Sequence, residues 1–219
     1  MKLFPVLSAL VAIAAAPAIA MAAAPTVVID FENNWDYGAT VDNTYAGSGV
    51  TFTNVIGLSN DVANGFTYYS GAPSMLGTAS AQLDGTFNTT AYMNVANGVD
   101  NSISFYFSSP TAITGAVKAY SGLNGTGDLL GTFNLVATGG TFTVDSSDPL
   151  NPTSYYNYDA WTLSTFNFSG TARSFDLTAT AGVASFDNIA VATVPEPESM
   201  ALMLTALGVM GVAAARRRG

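Results

Sequence analysis

Asp30 and Glu32 stand two residues apart in the run Val28-Ile29-Asp30-Phe31-Glu32. On a β-strand, residues two apart share a face. The spacing therefore predicts two carboxylates side by side, with Phe31 pointing the other way. Grouped carboxylate oxygens suit a calcium ion, whereas on a solvated edge strand the same pair is plain charged surface. A second group follows Asn151-Pro152: Tyr155, Tyr156, Tyr158 and Trp161. Exposed rings stack on the apolar faces of sugars, and Asn157 and Asp159 are placed to bind hydroxyls. The competing arrangement puts Trp161 in the core and lays the tyrosines over a sheet edge with their hydroxyls in water. Tyr68-Tyr69 is a weaker pair of the same kind, and Asp145 and Asp148 in Asp-Ser-Ser-Asp-Pro read as a turn.

Catalysis finds little to work with. The chain has no His and no Cys, which removes the Ser-His-Asp triad, thiol nucleophiles and nearly all usual zinc sites. A carboxylate pair can hydrolyse a glycoside, but no pair is singled out among the acids. The glycines sit in turn signals, not ahead of a helix, so no phosphate-binding loop is present. The expectation is a protein that is not an enzyme.

The elements that must position these residues are short alternating runs separated by Gly, Asn and Asp. Strands are predicted near 26–32, 49–56, 65–70, 79–83, 86–95, 101–108, 113–120, 128–136, 140–145, 160–168, 172–180 and 183–193. The clearest is Ile103-Ser104-Phe105-Tyr106-Phe107, with its apolar residues on one face. Asn64-Gly65, Asp84-Gly85, Asn97-Gly98 and Asn124-Gly125 read as turns. No part of the body keeps a helical period. Such punctuation predicts one all-β domain over residues 25–193, a sandwich or barrel.

Between Pro25 and Thr193 only Lys118 and Arg173 are basic, against thirteen acids, a net charge of −11. That surface repels nucleic acid and anionic lipid and offers sites to cations. Thirteen Phe and ten Tyr argue for a packed β core over disorder. Residues 1–24 read as a secretory signal peptide. Met1-Lys2 is a small basic start, Leu3 to Ala16 is apolar, and Ala18-Ile19-Ala20 and Ala20-Met21-Ala22 fit signal peptidase.

The far end, residues 194–219, has its own grammar. Val194-Pro195-Glu196-Pro197 precedes a charge-free apolar run from Ser199 to Ala215, followed by Arg216, Arg217 and Arg218. Seventeen apolar residues are at the lower limit for crossing a bilayer, and the arginine cluster holds that end on the cytoplasmic side. The two prolines keep the entry extended.

This tail resembles the PEP-CTERM sorting signal of Gram-negative, exopolysaccharide-producing bacteria, a tail also catalogued as an "ice-binding protein C-terminal domain". The resemblance implies recognition by an exosortase, with cutting near Pro195-Glu196-Pro197 after a transient inner-membrane span. The body would then be released or passed to a surface acceptor. More loosely, the opening around Asp30 to Glu32, the stretch Gly49-Val50-Thr51-Phe52 and the close Ser185-Phe186-Asp187-Asn188-Ile189 resemble bacterial jelly-roll domains, carbohydrate-binding modules among them.

That resemblance implies a single antiparallel β-sandwich, jelly-roll-like; the readings of the two ends add a signal helix before it and a transmembrane helix after it. The resemblance also implies that first and last strands lie side by side, bringing Asp187 to Asp30 and Glu32. The three acids would then hold a structural Ca2+; the alternative leaves Asp187 in a turn. The expected protein is exported, reaches the cell surface or extracellular matrix and associates with exopolysaccharide as a structural or adhesive body. The alternative is a carbohydrate-binding module with Tyr155, Tyr156 and Trp161 as its platform. An ice-binding surface, suggested by Thr51-Phe52-Thr53 and Thr141-Phe142-Thr143, is a remote variant because the repeated threonine ranks it needs are missing.

Overall fold

The computed structural model of the chain describes residues 26–36, 38–60, 69–74, 76–81, 90–145, 153–194 and 210. The signal segment, the strand expected at 65–70 for all but its last two residues, and nearly all of the sorting tail lie outside them. The described body is all-β. Its strands are β1 (Thr26–Ile29), β2 (Val50–Thr53), β3 (Val55–Leu58), β4 (Thr78–Ala81), β5 (Tyr92–Ser108), β6 (Ile113–Tyr120), β7 (Leu129–Leu135), β8 (Phe142–Asp145), β9 (Thr153–Tyr156), β10 (Thr162–Asp176) and β11 (Ser185–Thr193). Nine of them form one antiparallel sheet in the order β3-β4-β11-β5-β10-β6-β7, with β1 beside β11 and β2 beside β5. β8 and β9 make a separate two-stranded ribbon. Among the described residues no helix is long and apolar enough to cross a membrane, and the span expected at 199–215 falls almost wholly outside them.

Two long strands organise the sheet. The sequence predicts 86–95 and 101–108 as separate strands with a turn at Asn97-Gly98; residues 86–89 lie outside the described ones, and from Tyr92 β5 runs unbroken through the expected turn to Ser108. Gly98 and Asn101 are left-handed, with φ of 80° and 63°. They bend the strand without reversing it, as extra residues in a ladder do. Its first part pairs with β2, its second with β11, and β10 follows it along both parts. The segments expected at 160–168 and 172–180 likewise merge into β10 up to Asp176, where the strand ends and Thr178–Thr180 form a 3-10 turn instead; β10 shifts register between Asn167 and Thr171 and again between Ala172 and Ser174. The run expected at 49–56 does the opposite. Asn54, at φ 52°, splits it into β2 and β3.

Every large strand turns one face inward. Ile103, Phe105 and Phe107 are buried as their alternation predicts, with Met93, Val95, Phe166, Phe175, Phe186, Ile189 and Val191 in the same core. Trp35 caps this core where two glycines make room. A Cβ at Gly57 would overlap the Trp35 ring, and one at Gly77 would overlap the carbonyl oxygen of Phe31. That oxygen accepts the indole N–H at 2.9 Å. Gly57→Ala is therefore expected to displace Trp35 and destabilise the body by about 2 kcal/mol, the scale of an overpacked core. Urea unfolding followed by tryptophan fluorescence would measure it, and an unchanged midpoint would show that the ring is not held there.

Candidate functional site

The acidic residues near the two ends of the body do meet, in a different geometry from the expected one. β1 and β11 lie side by side, with Ile29 opposite Ile189. β1 stops at Ile29, however, and Phe31 is left-handed at φ 52°. Asp30 and Glu32 are thus not alternate residues of a strand. The Phe31 ring drops into the core against the edges of Tyr45 and Phe52. Asp30 accepts the N–H of Glu32 at 3.2 Å and lies 3.5 Å from the Tyr45 hydroxyl. Burial, and then the negative charge of Asp30, push the Tyr45 phenol up to about 12.

Glu32 and Asp187 reach toward the same turn. Glu32 Oε1 accepts the N–H groups of Leu76 and Gly77, at 2.7 and 3.3 Å. Asp187 Oδ2 accepts the N–H of Ser74 at 2.8 Å, and its Oδ1 accepts that of Asn188 at 2.7 Å. Ser74 Oγ donates to Asn188 Oδ1 at 2.9 Å. The two carboxylates thus clamp the chain around Ser74 to Gly77 onto the start of β1's exit and onto β11. Asp187 is 0 % exposed. Burial pushes its carboxyl up to about 6; the Ser74 and Asn188 donors pull it down, and the Glu32 charge raises it further. Among the described residues no three Asp, Glu, His or Cys side chains are gathered so as to hold a metal ion. As they stand, Glu32 and Asp187 are engaged by backbone amides.

The aromatic residues are dispersed. Tyr155 and Tyr156 are neighbours on β9, so the pleat sends them to opposite faces. Tyr156, 49 % exposed, packs on Phe142, 52 % exposed, with ring centres 4.9 Å apart. Val144 is exposed two residues along β8. Trp161 is half-buried, near Gly71, and its indole nitrogen is sealed from solvent with no hydrogen-bond partner among the described residues. Tyr155, Tyr156 and Trp161 therefore form no single row. Tyr69 stacks on Tyr158 at 5.9 Å, and the Tyr158 hydroxyl, raised by burial, donates to Gly182 O. The exposed Phe142–Tyr156 pair is a feature that sequence reasoning missed. Its signal was the Phe142, Val144 alternation, which needed β9 as a partner. Thr141 and Thr143 are tied to Asp159 and Asn157, and Phe52 between Thr51 and Thr53 is buried, so these threonines make no extended array.

Val194 opens the Val-Pro-Glu-Pro run, and with Thr193 and Met210 it is among the few residues of this tail that are described. The Val194 N–H donates to Gly98 O at 3.1 Å, so the start of this run is tied to the sheet.

No curated protein matches the sequence. Among solved structures, the cleaved adhesin domain K2 of Lys-gingipain is similar over 76 % of this chain and 99 % of its own, at 14 % identity and a TM-score of 0.45. The catalytic domain of a GH87 α-1,3-glucanase is similar over 80 % of this chain, at 11 % identity and a TM-score of 0.41. This chain spans only 29 % of that one. The carboxy-terminal segment has a definite assignment: residues 193–218 match the PEP-CTERM protein-sorting motif, the substrate signal for exosortase.

Proposed function

We propose that this chain is an exported, exosortase-processed protein of the cell surface or extracellular matrix. Its body, residues 25–193, is a non-catalytic structural or adhesive β-sandwich of jelly-roll type, associated with exopolysaccharide. The observation that carries the reading is the sorting motif at 193–218 placed directly after the last strand of a folded all-β body. The signal peptide at 1–24 opens the export route, and the apolar run at 199–215 is the transient inner-membrane span. Mass spectrometry of the mature protein from its host tests this. The expected amino terminus falls after a residue between Ala20 and Ala24, and the expected carboxy terminus falls near Pro195-Glu196-Pro197. Recovery of intact Met1–Gly219 as the steady-state species would defeat the reading.

A second reading, a module binding a neutral glycan, is favoured by the exposed Phe142–Tyr156 pair. Here Tyr156 stands in the role first given to Tyr155, Tyr156 and Trp161 together. A glycan array should show binding that Tyr156→Ala reduces by about tenfold, the scale of one lost stacking contact. Absence of binding to every polymer would favour the structural reading alone.

Calcium belongs to the proposal on narrower terms. A cation between Glu32 and Asp187 would relieve their mutual repulsion, but it would have to displace the amides of Ser74 and Leu76. On this proposal a chelator lowers the melting temperature, and Asp187→Ala abolishes the difference; an unchanged melt removes calcium.

A further inference from the structure

The end of β11 is fixed on both sides. Ala192 stands opposite Thr26 and Val191 opposite Val27 on β1. Thr193 stands opposite Val99 on β5, and the Val194 N–H is held by Gly98 O. Pro195 comes next, and only Pro195 to Glu198 separate Val194 from the apolar run that starts at Ser199. At about 3.5 Å per fully extended residue, Ser199 lies within about 17 Å of Val194. The folded body therefore stands against whatever holds that run. Enzymes that cut or transfer peptides commonly pair with an extended main chain, and an N–H already bonded within a sheet cannot serve a second partner at the same time.

We propose that the last three residues of the described body, Ala192 to Val194, are a positioning element of the sorting reaction. They must leave β1 and the Gly98–Val99 segment before the enzyme can engage Pro195-Glu196-Pro197, so their pairing sets the rate at which the tail is removed. The proposal rests on the exosortase reading above. Burial defines how far the strand opens. Ala192 is exposed and Thr193 and Val194 are half-buried, whereas Val191 is 0 % exposed and belongs to the core. Opening to Ala192 withdraws no core side chain of β11; opening past Val191 would begin to unfold the sheet. The same register puts Thr26 beside Ala192, so β1 is the strand that holds this end of β11.

The test follows tail removal by pulse-chase of the full chain in the exporting host. Six Gly/Ser residues inserted between Val194 and Pro195 leave the body untouched and should speed removal by roughly tenfold, the worth of about one net hydrogen bond. The pair Thr26→Cys and Ala192→Cys, in a chain without other cysteines, stands at the strand-to-strand spacing that a disulfide accepts. Cross-linked, it should slow removal by at least the same factor relative to the single-cysteine variants. Adding the insertion should restore the fast rate, a rescue that a merely damaged body would not show. Equal rates in the wild-type, inserted and cross-linked chains would overturn the proposal. A tail that is never removed from any of them would instead defeat the sorting reading, and this proposal with it.

Discussion

Phe105→Ala is expected to destabilise the body by about 4 kcal/mol, within the range for truncating a buried Phe. Phe105 is 1 % exposed. Its ring meets those of Phe107, Phe133 and Phe186 nearly edge-on, with centres at 6.2, 5.7 and 5.6 Å. These partners come from β5, β7 and β11, so a cavity there loosens contacts between strands far apart in the sheet order. Phe133 and Phe166 extend the network to β10. Small domains hold only about 5–15 kcal/mol in total, so this variant should lose a large share of its stability. Phe105→Leu refills most of the volume and should cost about 1.5 kcal/mol. Urea unfolding of both would check the contrast; equal midpoints would mean that the aromatic network is not what holds the strands together.

The second large effect is a pH dependence centred on Asp187. Its carboxyl titrates at about 6 in the folded body, above the ordinary 3.8. A group raised on folding favours the folded state while it stays protonated. Its contribution is fully present below about pH 4, falls as the unfolded chain ionises first, and is lost once pH passes 6. A shift of roughly two units corresponds to about 3 kcal/mol. The body should be more stable at pH 4 than at pH 7 by up to that amount from this residue alone. The measurement is taken as a difference between wild type and a variant, which isolates this residue. Asp187→Asn keeps the shape and removes the titration, and the stability gap between wild type and variant should change between pH 4 and 6 and be constant above. A gap that does not vary with pH would show that burial does not penalise the Asp187 charge.

Under the proposed export, both effects bear on how this body survives outside the cytoplasm. Without cysteine it has no disulfide, and its cohesion rests on aromatic packing and on turns tied down by side chains. The ties from Glu32 to Leu76 and Gly77 and from Asp187 to Ser74 are of this kind, and so is Asn94, whose side-chain amide donates to Asn124 Oδ1 and accepts the Asn124 N–H.

The sequence by itself determined what depends on near neighbours. The alternation of Ile103, Phe105 and Phe107 named a buried face, Asn124-Gly125 marked a turn, and the order of residues from Val194 to Arg218 carried the sorting address. Each of these is a local pattern read by local chemistry. Only the tertiary structure decided the rest. Asn97-Gly98 has the same left-handed allowance whether a chain reverses or merely bends, and it was the neighbouring strands β2, β11 and β10, not the dipeptide, that made β5 continuous. Asp30 and Glu32 looked like a strand pair until burial of the Phe31 ring turned the backbone out of β1. Tyr155 and Tyr156 were close in sequence, but pairing with β8 sent them to opposite faces. Asp187 found its partner Ser74 from 113 residues away. A carboxylate takes the donors that the fold brings to it, and which donors those are is a property of the packed sheet.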